Sequence, residues 1–226
     1  MKIFIILFIS ISTISLNISG QKFYRINGEF SIKAKTAEGK NQLTIGKFYY
    51  DKTIQKLVYI STFPVNETWV SQDTNLYKIE DNKVVTRYSS PPLGSFSIFH
   101  LALTSQINNY GLKNSTFTIS KVEKQNDMVI TTWLPPEKLA KLTGKVLISN
   151  KSNTLYGIVF MDNKENIVKK QFFNNYINIS GVEFPLEITE ISYANNKENY
   201  QVTTYKNVMI DETSDNMYFD YPIPKY

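Results

Sequence analysis

Cysteine is absent from this chain and histidine occurs once, at His100. Without a thiol there is no disulfide to staple a fold, no thiolate nucleophile and no lipobox cysteine. With a single imidazole, no histidine-based metal cluster can form, and a Ser-His-Asp triad would have to run through His100. No Gly-x-Ser-x-Gly elbow presents a serine to it, and His100 itself lies between Phe99 and Leu101. Carboxylates are dispersed, and the group Asp211, Glu212 and Asp215 reads as a solvated turn. Charge of one sign is scarce too. The formal net charge is +5 over 226 residues and the longest lysine run is Lys169-Lys170, so the basic stripe of a nucleic-acid binder is missing. The expectation is a protein with no catalytic residues, no metal, no cofactor and no nucleic-acid partner.

Long apolar runs are equally few. Met1-Lys2, an apolar stretch over residues 3–16 and Ile18-Ser19-Gly20 before Gln21 read as a secretory signal cleaved after Gly20. The stretch is short and serine-rich for a transmembrane anchor, which needs about 20 predominantly apolar residues. Losing Lys2 with the signal leaves a net charge of +4, and residues 21–226 suffice for one domain with its own core. Exported domains of this size without disulfides point to a bacterial periplasm.

What the chain does have is short aromatic and β-branched strands. Gly46-Lys47-Phe48-Tyr49-Tyr50 is followed by Leu57-Val58-Tyr59-Ile60, then Trp69-Val70-Ser71 and Leu76-Tyr77-Lys78-Ile79. Turn chemistry separates them at Asp51-Lys52, Pro64-Val65-Asn66 and Asp73-Thr74-Asn75. Residues 28–35 alternate Phe30, Ile32 and Ala34 with Glu29, Ser31 and Lys33, the period-2 signature of a half-buried strand. Further strands are expected over residues 83–88, 116–119 and 128–133. A second meander should follow over 145–149, 155–161, 167–176, 182–193 and 199–210.

Two segments read as helices instead. Leu93, Phe96, Phe99, Leu103 and Ile107 share one helical face, with Ser89 or Ser90 as cap and Gly111 as stop. Residues 135–142 begin at Pro135-Pro136 and end before Gly144, which predicts a two-turn helix. The fold class expected is mainly β with helices (α+β): a single strongly curved antiparallel sheet carrying one or two helices. A sheet of this many strands must curl or split to bury its apolar face.

The order of these segments resembles the LolA-like family of periplasmic lipoprotein carriers and sorting proteins. The resemblance rests on Gly46-Lys47-Phe48-Tyr49-Tyr50, Leu57-Val58-Tyr59 through Pro64, and Trp69 through Tyr77. Trp133-Leu134-Pro135-Pro136, Gly181-Val182-Glu183-Phe184-Pro185 and Phe219-Asp220-Tyr221-Pro222 follow in order. It implies an unclosed β-barrel around helices, with an apolar cavity for the acyl chains of a lipoprotein or lipid. Leu57, Tyr59 and Trp69 would line that cavity, with Phe96, Phe99 and Leu103 in its helical lid. It also implies inner- or outer-membrane protein partners and transient contact with a membrane surface. Two departures stand out. Asp51-Lys52-Thr53 replaces the carriers' Arg-Pro turn, and little chain precedes the first strand to form their long N-terminal helix. The alternative reading is a periplasmic scaffold or sensor whose core is filled by its own side chains and which acts through protein contacts.

Overall fold

The computed structural model describes residues 22–94, 97–194 and 197–225; the expected signal at 1–20 lies outside them, as does Phe96. A first meander comprises β1 (Arg25–Lys35), β2 (Asn41–Asp51), β3 (Lys56–Phe63), β4 (Glu67–Gln72), β5 (Asn75–Glu80) and β6 (Lys83–Ser89). The second comprises β7 (Thr118–Gln125), β8 (Met128–Leu134), β9 (Val146–Lys151) and β10 (Thr154–Met161), then β11 (Ile167–Ile179), β12 (Val182–Ala194) and β13 (Lys197–Ile210). Two short helices are α1 (Ile98–Leu103) and α2 (Asn216–Phe219).

All the strands form one antiparallel 13-stranded sheet in the order β6-β5-β4-β3-β2-β1-β13-β12-β11-β10-β9-β8-β7. The meanders join through the first and last strands, with Phe30 opposite Tyr205 and Ile32 opposite Thr203. β6 and β7 are the two ends and do not pair with each other, so the sheet is open. Gly46 sits where β2 bulges against β3; a Cβ there would fall 2.1 Å from the Ile60 carbonyl oxygen, so only glycine fits.

Phe48, Tyr49 and Tyr50 are consecutive and all buried, because both faces of β2 are covered. On one face Phe48 and Tyr50 join Phe30, Leu57, Phe184, Tyr205 and the α1 residues Phe99, Leu101 and Leu103. On the other, Tyr49, Val58, Val70 and Ile79 pack around Phe219 of α2. Chain ends explain this second cover. Asp211 accepts hydrogen bonds from the backbone N–H groups of Tyr24 and Arg25, turning the chain after β13 back over the sheet.

Two expected helices change. The helix predicted from Leu93 to Ile107 shrinks to six residues, capped by Ser97 rather than Ser89 or Ser90. The Ser97 hydroxyl accepts from the His100 N–H at 3.2 Å. At the other end the Thr104 hydroxyl donates back to the His100 carbonyl at 2.6 Å, and Ser105 turns left-handed at φ 55°. Ile107 stays buried through a separate 3₁₀ turn, Ile107–Asn109. Residues 135–142 are a chain of turns, not a helix. Leu139 and Leu142 are exposed there, so no buried apolar face supports helical propagation. Conversely, α2 is too short to show any periodicity, and its packing against the sheet holds it. No described helix is long and apolar enough to cross a membrane.

Candidate functional site

The connection from β6 to β7 must pass from one end of the sheet to the other, and α1 is the part of it that lies over the central strands. Gly94 starts this passage against the β2–β3 turn, where a Cβ would fall 2.3 Å from the Gln55 carbonyl oxygen. Phe99 then inserts into a nest of rings. Its centroid stands 4.4 Å from Phe48, 5.6 Å from Tyr205, 5.9 Å from Phe184, and 6.3 Å from both Tyr50 and Tyr59. Those rings come from β2, β13, β12 and β3, so one side chain touches strands from both meanders.

Polar contacts fix the helix at its flanks. The buried Tyr50 hydroxyl lies 2.8 Å from His100 Nδ1, and Lys52 Nζ donates to the Leu103 carbonyl at 3.5 Å. Lys52 also sits over the Tyr24 ring, 5.1 Å from its centroid. Burial, and secondarily the Lys52 charge, hold His100 below its ordinary pKa, so the imidazole is neutral at physiological pH.

Beneath α1 lies a cavity of about 240 Å³ lined by Tyr59 and Phe99 together with Ile32, Ile98, Phe173 and Ile188. One side of it is polar. Tyr110 donates to Gln171 at 3.0 Å, Gln171 donates to Glu190 at 2.7 Å, and Gln201 donates to Thr203 at 3.2 Å. Burial, then the nearby Glu190 charge, pushes the Tyr110 hydroxyl up to about 12. Burial likewise pushes Tyr59 to about 12, partly offset by its hydrogen bond with Tyr205. These phenols are therefore neutral hydrogen-bonding groups. A larger groove of about 480 Å³ opens on the opposite face, floored by Leu43 and Ile45 and edged by Lys33, Lys47 and Lys206. It touches none of the expected site residues.

Of those residues, Tyr59 and Phe99 meet at the cavity, while Leu57 and Leu103 are buried in the surrounding core. Trp69 pairs in register with Tyr59 and so shares its face, one strand further out. There it stacks on Tyr88 with centroids 6.2 Å apart, and its Nε1 donates to Glu67 at 2.9 Å. Glu67, despite the opposing effect of burial, is held below the usual carboxylate range by Lys78 and Trp69. The structure thus separates Trp69 from the cavity lining. The Tyr110–Gln171–Glu190 set was invisible in sequence, because Gln171 and Glu190 meet through the β11–β12 pairing and Tyr110 reaches them from the end of the 3₁₀ turn after α1. No group of three or more His, Cys, Asp or Glu side chains able to hold a metal occurs among the described residues.

An open antiparallel sheet with a crossing helix seated on its central strands decides the comparison. The fold is LolA-like. A LolA superfamily protein from Nitrosomonas europaea matches 88% of this chain and 92% of its own, with TM-score 0.58 and 13% identity. A domain assigned as outer membrane lipoprotein-sorting, from Vibrio parahaemolyticus, matches 87% and 90%, with TM-score 0.62 and 14% identity. A DUF1329 family protein from Desulfovibrio piger matches 88% and 91%, with TM-score 0.53 and 12% identity. No family model matches the sequence, and no curated protein matches it. In this chain Asp51-Lys52-Thr53 is the turn beside α1. Lys52 supplies one point-charge contact to a helix carbonyl there, not the bidentate fork of an arginine.

Proposed function

We propose that this chain is a periplasmic, non-catalytic carrier that takes acyl chains of a lipoprotein or lipid into the space α1 now fills. The observation that carries this reading is Phe99: an apolar side chain, 1% exposed, that seats α1 among the rings of the central strands and lines the cavity beneath it. The same ring gathers side chains from both meanders: Tyr59 on β3 and Phe184 on β12 both lie within 6.3 Å of it.

The cavity as it stands is below the roughly 300–1,000 Å³ of small-molecule sites. Cargo entry therefore requires α1 to lift, exchanging Phe99 for methylenes that contribute roughly 0.8 kcal/mol each on burial. Contacts holding α1 suit such a motion: a neutral Tyr50–His100 hydrogen bond and a 3.5 Å lysine contact, with no ion pair to α1 among the described residues. Lipoprotein-sorting relatives in fold support a lipidated partner as the cargo class.

The second reading, a filled-core scaffold or sensor acting through protein contacts, is favoured by the same plug if it never moves. Residues 21–226 secreted to a periplasm and purified without detergent separate the two. Co-purifying phospholipid or lipopeptide found by mass spectrometry, displaced by a fluorescent fatty acid, is the carrier outcome. A lipid-free protein that also ignores the fatty acid would replace the carrier with the scaffold.

A further inference from the structure

At the end of the sheet farthest from β6, β7 pairs only with β8, and all eight of its residues are exposed. Its outer backbone edge is a row of donors and acceptors with no strand beside it among the described residues. Ile119 and Val122 are 55% and 60% exposed, so side-chain cover is missing as well as backbone cover. Natural edges of this kind are blunted or paired, and here an irregularity at Ser120, where the β7–β8 register shifts, leaves Lys121 to Gln125 as the regular part of the edge. Lys121 and Glu123 alternate with Val122 between them, and their side chains form an exposed ion pair at 2.8 Å.

We propose that β7 is a self-pairing edge, through which two copies of this chain join antiparallel across a two-fold axis at Val122. The sequence is self-complementary about that residue and about neither of its neighbours. Directly opposed residues in an antiparallel pair point to the same side. A two-fold axis perpendicular to the sheet therefore passes between a residue and its own copy. Centred on Lys121 it would oppose two lysines, and centred on Glu123 two glutamates. Centred on Val122 it sets Lys121 against the partner's Glu123 and Glu123 against the partner's Lys121, with the two valines in contact. The lysines that discourage other strands thus admit a second copy of this one.

The other edge offers no such match. β6 holds Lys83 and Arg87 and no carboxylate. A β6-to-β7 contact would be heterologous and would build open chains rather than a closed pair. Nothing in this inference depends on what the cavity under α1 binds.

Because the chain has no cysteine, single substitutions report the axis directly. In Val122→Cys the two thiols would lie on Cα atoms about 4.5–5.5 Å apart, within disulfide reach. In Lys124→Cys, and in Ser120→Cys at the bulge, they would lie on the order of 14 Å apart, beyond it. All three positions are exposed, so the variants keep the fold. The expected result under mild oxidation is a covalent dimer of Val122→Cys forming at least about tenfold faster than the other two, whose sulfurs start out of range. Adding Lys121→Glu or Glu123→Lys to Val122→Cys should slow cross-linking, and adding both should restore it. Equal rates at the three positions, no dimer of Val122→Cys, or a rate indifferent to the charge changes would each overturn the proposal.

Discussion

Two covers lie on opposite faces of the same central strands; each seats a buried phenylalanine, and they differ in what holds their flanks. α1 sits on β1, β2 and β12 through apolar burial of Phe99, Leu101 and Leu103, with a neutral phenol–imidazole bond at its flank. The C-terminal segment covers the other face of β2 and β3, buries Phe219 there and is pinned by charge as well. Arg25 pairs with Asp51 at 2.7 Å and lies over the Phe219 ring at 4.9 Å, and Lys56 pairs with Asp220 and donates to the Tyr221 carbonyl. Burial of apolar surface is non-directional, so a helix held that way can exchange its side chain for another apolar group. Ion pairs and cation–π contacts specify one geometry. The comparison makes α1 the displaceable cover and the C-terminal segment the fixed strap.

The strongest way to break that contrast is to cut each plug. Phe99→Ala and Phe219→Ala should each lower unfolding free energy by about 3–5 kcal/mol, since both rings are fully buried. Only Phe99→Ala should raise uptake of a fluorescent fatty acid. Equal uptake by both variants, measured by titration below their melting temperatures, would erase the distinction between the covers.

Next in size is Asp220→Asn. It removes a charge partner from Lys56, whose side chain is only 6% exposed, although Asp220 itself is 72% exposed. The amide that replaces the carboxylate can still accept from the buried ammonium but no longer neutralises it, at an expected loss of about 1–2 kcal/mol in urea unfolding. Fatty-acid uptake should stay unchanged. Tyr50→Phe tests the other side. Losing the hydroxyl that meets His100 should cost about 1 kcal/mol and increase amide exchange in α1, with no change over residues 211–225.

The smallest effect is the pH dependence of α1. His100 has a folded pKa below its unfolded value near 6.5, so the unfolded chain binds the proton more readily. Its contribution to stability is complete above about pH 6.5 and fades as pH falls through the folded value. Melting curves between pH 7 and pH 5 should show that decline, and His100→Gln should flatten it. The carboxylates titrate lower: Glu67, Asp127 and Asp162 all sit below their ordinary values. A decline unchanged in His100→Gln would assign it elsewhere.

Much of this architecture was readable in advance. Alternation in residues 28–35 and the turn residues after Tyr50, Phe63 and Gln72 mark the strands. Helix lengths were not readable. Apolar spacing continues from Leu93 to Ile107, yet Ser105 takes a left-handed turn inside it that no spacing reveals. Pro135 to Leu142 carries helix punctuation without any surface to bury against. At the site, the apolar faces that carry Tyr59 and Phe99 were legible in sequence, and both residues line the cavity under α1. The placement of Trp69 beside Tyr88 and the Tyr110–Gln171–Glu190 set were not, since each depends on a neighbour distant in sequence.

Local chemistry alone thus settles strand positions, which side of each strand faces inward, and the absence of cysteine chemistry. These follow from the period-2 geometry of the backbone and from turn residues that act over a few bonds. The meeting of β1 with β13, the seating of Phe99 among rings from both meanders, and the return of residues 211–225 over the far face were decided by the folded whole. An apolar side chain carries its need to be buried, but not the identity of the strand that will bury it.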